Sequence, residues 1–210
     1  MAEWCRRLSG TVNSDGGAAM LLAIAALATA WSSYQASIWG GIQAAQYSRS
    51  SALRAAAGQA NDDAARSRLV DISLFTKWLE AYAERRPQLA AFYERHFRPE
   101  FVPAFEAWRG LDSTSERVTT PFDRGEYHLR RTADANVYNA QSVGALAAAE
   151  HANKTSDEYV FDTVILASVL FFAGAVRPHI APRWQGMMLL VASLLCGWAI
   201  VRLFLTPVRY

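Results

Sequence analysis

Apolar residues gather toward both ends of the chain and thin out in its middle. The first run, GGAAMLLAIAALATAW (Gly16 to Trp31), follows an Arg6–Arg7 pair. The second, YVFDTVILASVLFFAGAV (Tyr159 to Val176), is followed by Arg177, and the third, WQGMMLLVASLLCGWAIV (Trp184 to Val201), by Arg202. Uninterrupted apolar helix of this order is what a hydrocarbon core of ~30 Å requires. The pattern predicts an N-terminal segment, 1–15, and three transmembrane helices over 16–35, 159–176 and 185–206, the last two joined by a short loop, 177–184. Trp31, Tyr34, Trp39 and Trp184 suit the headgroup level, where amphipathic rings collect.

The helical pattern does not stop where the first span should. No charge occurs between Gly16 and Ser48, a stretch of 33 residues or about 50 Å as helix. No proline interrupts the chain until Pro87, and Tyr34, Ile38 and Ile42 recur at helical spacing, as do Phe75 and Leu79 beside Trp78 and Tyr82. Gly40–Gly41 is the weakest point of this helix. After Pro87, five Pro and Gly residues between Pro99 and Gly125 punctuate a tip, 87–125, with two short helices, 88–97 and 102–110, and a polar loop, LDSTSERVTT. Helix resumes near Glu126 and runs without proline into the second span. The expected fold is therefore all-α: spans 1 and 2 continue into an extramembrane helical hairpin, 36–158. A rival reading of the start, a cleavable signal peptide with ATA before Trp31, is disfavoured by the length of the charge-free run.

Two short stretches, WSSYQA (Trp31 to Ala36) and EYVFDTVILASVLFFAGAV, resemble a family of uncharacterised bacterial membrane proteins grouped as a domain of unknown function. That resemblance implies an N-terminal span, a long helical hairpin and two closely spaced C-terminal spans in the bacterial inner membrane. It implies no activity.

Charge adds orientation. Arg6 and Arg7 precede span 1, and Arg177 and Arg183 flank the short loop, against Lys154, Arg202 and Arg209 near the opposite surface. The positive-inside rule then places the N-terminus in the cytoplasm and the hairpin outside. A net charge of +2 with mixed signs offers no basic stripe for nucleic acid. Cys5 and Cys196 have neither metal-ligand spacing nor a disulfide framework.

Candidate chemistry is sparse. Asp162, one turn inside span 2, and Arg202, near the end of span 3, are expected at the same depth of an antiparallel helix pair. Ionisable groups there pair, snorkel or mark an ion path. The polar run Ser32, Ser33, Gln35, Ser37, Gln43 and Gln46 is expected to form a helix interface or, in an oligomer, a pore lining. Phe97, Phe101, Phe105 and Trp108 are expected to hold the tip together and to offer a partner contact where exposed. His96 and Glu100 have i, i+4 spacing but lack a third ligand, His128 and His151 stand beside single glutamates, and Asp62–Asp63 reads as a solvated face. No nucleophile elbow or P-loop occurs, so no catalytic, cofactor or metal site is assigned. The sequence reads as a non-enzymatic membrane protein, a homo-oligomeric assembly or accessory scaffold presenting a helical stalk to a membrane-protein partner. The alternative is an oligomeric ion channel lined by span 1.

Overall fold

The computed structural model describes residues 2–111, 119–176 and 181–209; the side chains of 2–15 and of Pro182 fall outside the description. Arg6, Arg7 and Arg177, which carry most of the orientation argument, lie outside the described side chains, as does most of the polar tip loop. The described chain is all-helical, with α1 (Ala2–Ala83), α2 (Pro87–Glu94), α3 (Val102–Arg109), a 3-10 turn (Pro121–Asp123), α4 (Arg130–Gly174) and α5 (Pro182–Leu205). Two of these, α1 and α5, are long and apolar enough to cross a membrane.

α1 exists because nothing in it stops a helix. Alanine dominates, proline is absent, and helical bonding continues through Gly40–Gly41. Its end is specified locally. Arg85 takes φ 56°, and the Arg86 amide reaches back to the Ala81 carbonyl at 2.9 Å, the six-to-one closure of a Schellman motif. Pro87 then opens α2. The expected run to Arg86 is thus cut at Ala83 by this reversal. α4 starts at Arg130 instead of Glu126, because residues 121–129 form a turn and extended chain that carries Phe122 and Tyr127 into an aromatic core.

The chain forms two compact units. Unit 1 comprises residues 1–48 and 145–210. Its α1 seam recurs every seventh residue: Ala18, Ala25, Ser32 and Trp39 are buried. On α4 one buried series is Ala145, Ala152, Tyr159, Leu166 and Ala173, and a second is Thr155, Asp162 and Val169. Two buried faces follow from two neighbours, since Ala25 of α1 and Ala192, Cys196 and Ala199 of α5 share one core with Leu166 and Val169. Alanine and serine at the seams allow close backbone approach. At Gly40, for example, an added Cβ would stand 3.9 Å from Ser156 Oγ.

The apolar part of α4 is shorter than expected. The helix ends at Gly174, and an 18-residue window ending there takes in Asp157, Glu158 and Asp162.

Unit 2 comprises residues 49–144. Its α1 seam is Ser50, Ala57, Ala64, Asp71 and Trp78, joined by Ala60 and Ala81, the 3-4 spacing of a coiled-coil face. Ala135 and Ser142 are buried on α4, and Ser50 Oγ donates to the Ser142 carbonyl at 3.0 Å. Beyond this seam lies an aromatic core. Phe75 and Trp78 meet Phe105 and Trp108 edge to face, at centroid distances of 4.8 to 6.4 Å, as ring quadrupoles favour.

Candidate functional site: a buried polar layer

Unit 1 buries a layer of polar residues. Ser32, Gln35 and Asp162 are fully buried. α1 and α4 are held in register by Gln43 Nε2 donating to Asn153 Oδ1 (2.6 Å) and Ser156 Oγ donating to the Ala36 carbonyl (3.0 Å). That register sets Ser32 level with Asp162. Arg202 of α5 brings Nε to 3.0 Å from Asp162 Oδ1. The guanidinium carbon also lies 5.2 Å from the Phe161 ring centroid and 5.3 Å from that of Trp198. One charge partner and two aromatic faces fix Arg202. Neither Asp162 oxygen nor Ser32 Oγ has a hydrogen-bond partner among the described residues.

One level away, the C-terminal segment after α5 folds onto α1 and α4. Gln35 pairs with the backbone of Arg209 in both directions: Nε2 donates to the Arg209 carbonyl (2.9 Å), and the Arg209 amide donates to Oε1 (3.1 Å). The Pro207 carbonyl accepts from Trp39 Nε1 (3.1 Å) and from the Tyr159 hydroxyl (3.2 Å). Arg209 lies over the Trp39 ring, 5.4 Å from its centroid. The segment is therefore read as backbone by three side chains. Sequence reasoning passed over it; the available signal was a proline and a charged residue just after an apolar helix whose neighbours include Gln, Trp and Tyr.

The six polar residues of α1 thus divide. Ser32 and Gln35 are buried and Gln43 is half-buried, and Gln35 and Gln43 bond to partners within the same chain. Gln46 is half-buried, and Ser33 and Ser37 are exposed. The six do not share one face, because one helix cannot turn adjacent positions to the same side.

In unit 2 the tip aromatics pack together, as expected. Phe97, Phe101 and Phe105 are buried and Trp108 is half-buried, with its Nε1 donating to the Thr119 carbonyl at 2.7 Å. With Phe75 and Phe122 these four rings form the unit's own core. Beside it sits a second buried acid. Asp71 Oδ2 accepts from the Tyr127 hydroxyl (2.9 Å) and Arg98 Nη1 (3.1 Å), while Arg98 Nη2 also donates to Glu100. Burial holds the Asp71 carboxyl above its ordinary value of 3.8, against the lowering effect of the bonds from Tyr127 and Arg98. Burial and the neighbouring carboxylate push the Tyr127 hydroxyl upward. Asp123, bonded by the Thr120 hydroxyl and amide, is held below the carboxylate range.

The remaining candidates do not converge. The His96 ring lies against the Phe92 carbonyl at 2.8 Å, whereas Glu100 faces Arg98. Asp63 pairs with Arg66 at 3.3 Å and meets Arg131 at 3.9 Å. Among the described residues no group of three or more His, Cys, Asp or Glu side chains is placed to hold a metal ion. Comparison with known proteins gives no match: no family model, curated protein or solved structure aligns with the chain.

Proposed function

We propose that this protein is a non-enzymatic integral membrane protein of the bacterial inner membrane, anchored by three helices and self-associating to present a helical hairpin, 36–158, to a partner. The observation that carries the reading is the inside-out polarity of unit 1. Alanine, serine, glutamine and one ion pair share its interior with Leu166 and Val169, while several large apolar side chains point outward. Met20, Leu27, Phe171, Leu194 and Phe204 are 68, 75, 70, 66 and 87 % exposed. Water would not tolerate so large an apolar surface, and lipid supplies its natural solvent. Arg202 beside Asp162 fits such a setting, since an ion pair latches helices that lipid cannot drive together. The small-residue seams and the WSSYQA resemblance support the same anchor-and-hairpin layout.

The test is the mass of the purified chain in nanodiscs together with alkaline extraction of the membranes. A multiple of the monomer mass in carbonate-resistant membranes supports the proposal; a monomer released by carbonate defeats it. The exposed Ser33 and Ser37 favour a second reading, a channel formed between copies along α1. Ion flux from liposomes that is lost on Ser33→Leu but unaffected by Gln35→Leu would support the channel over the scaffold.

A further inference from the structure

In unit 2, α1 carries a second heptad seam that no described residue covers. Gly58, Asp62, Ala65, Leu69, Ile72, Thr76, Leu79 and Ala83 follow one another at alternating spacings of four and three residues, and all eight are exposed. Leu69, Ile72 and Leu79 are 66, 38 and 44 % exposed, more than a solvated helix face needs. This is the a/d pattern of a coiled coil, set beside the buried seam that already faces the unit's own core.

We propose that this seam pairs with the same seam of a second copy, in antiparallel sense about a two-fold axis near residue 74. The inference rests on the self-association reading above and specifies its contact. Antiparallel pairing stacks Leu69 on Leu79 of the other copy, Ile72 on Thr76 and Ala65 on Ala83, each layer occurring twice, as an isologous interface requires. The same register sets Arg66 beside Glu80 of the other copy on both sides of the axis. In a parallel pair the flanking positions match Arg68 with Ser73 and Phe75 with Glu80, with no charge complementarity. The competing pairs within each chain, Arg66–Asp63 and Lys77–Glu80, are exposed contacts at 3.3 Å and exchange readily. From Gly58 to Ala83 the seam runs about 38 Å. Covering it buries several hundred Å² per copy, the order of the ~800 Å² per partner in stable complexes.

Disulfide trapping tests this in the full chain, with Cys5 and Cys196 replaced by serine. Leu69→Cys and Leu79→Cys proteins, mixed in detergent and oxidised, are expected to form mixed dimers, and Ser73→Cys is expected to link to itself. Glu80→Arg should cut the trapped fraction about twofold to fivefold, and adding Arg66→Glu should restore it. Leu69→Cys linking to itself as well as it links to Leu79→Cys would overturn the antiparallel register. No trapping at any position in a chain whose nanodisc mass is a multiple would overturn the seam and leave the oligomer standing. A monomeric mass would overturn both.

Discussion

Replacing Tyr127 with phenylalanine removes one hydroxyl and little else. The ring keeps its edge contacts with Phe101 and Phe122, at centroid distances of 6.0 and 5.3 Å, so the change isolates the 2.9 Å bond to the buried Asp71 carboxylate. A hydrogen bond to an ionised group contributes about 1.5–3 kcal/mol. Arg98 remains on the same oxygen, which favours the lower part of that range, about 2 kcal/mol. The pH dependence has a definite sign. Burial raises the Asp71 pKa above 3.8 in the folded state, so its ionisation opposes folding. Its favourable contribution is fully present below the unfolded value and is lost as pH rises through the raised native one. When Asp71 is protonated, the Tyr127 bond becomes a neutral one of about 1 kcal/mol. The penalty for Tyr127→Phe should therefore shrink on acidification across that interval. Hydrogen exchange of amides in 71–81 and 97–109, taken as the variant-to-wild-type ratio at each pH, reads it directly. About 2 kcal/mol at neutral pH appears as roughly thirtyfold faster exchange. A ratio below about twofold, or one that grows as pH falls, would refute the argument.

Three further outcomes follow from the packing. Arg202→Met should destabilise unit 1 by about 3–5 kcal/mol because it strands a buried acid, and adding Asp162→Leu should recover most of that; thermal unfolding in detergent measures both, and an additive double variant would contradict the pairing. Gln35→Leu should release the C-terminal segment, seen as faster trimming of residues 207–210 by carboxypeptidase with the helical circular dichroism unchanged. Arg85→Gly should stabilise unit 2 by about 1 kcal/mol, because glycine adopts φ 56° without a Cβ penalty; denaturant unfolding that shows a loss would contradict the strain at that position.

Much of the helix plan is legible from the absence of proline before Pro87 and between Pro121 and Pro178, which leaves long helices as the only economical solution. Helix ends are less legible. Arg85 in a left-handed conformation is not what a Schellman motif advertises in sequence, where glycine is the usual marker, so α1 reads three residues too long. The paired Asp162 and Arg202 are readable because charge in an apolar run is conspicuous. The division of Ser32 and Gln35 from Ser33 and Ser37 lies in heptad phase, and the signal there is Ala18, Ala25, Ser32 and Trp39 at intervals of seven. Small residues at that spacing carry little hydrophobic contrast, so periodicity in hydropathy misses them while burial exposes them. The C-terminal clasp is less legible still, since backbone groups of Pro207 and Arg209 do the bonding and backbone carries no sequence signature.

The central claim is that the apolar end of α4 lies in lipid beside α1 and α5, although that stretch is the shortest of the three. Spin labels at Phe171, Ile24 and Leu194, in the chain reconstituted into vesicles, test it by collision with oxygen and with a water-soluble nickel chelate. All three positions are predicted to be reached readily by oxygen and poorly by nickel. Strong nickel collision at residue 171, with positions 24 and 194 still protected, would place α4 in water and contradict the three-helix anchor.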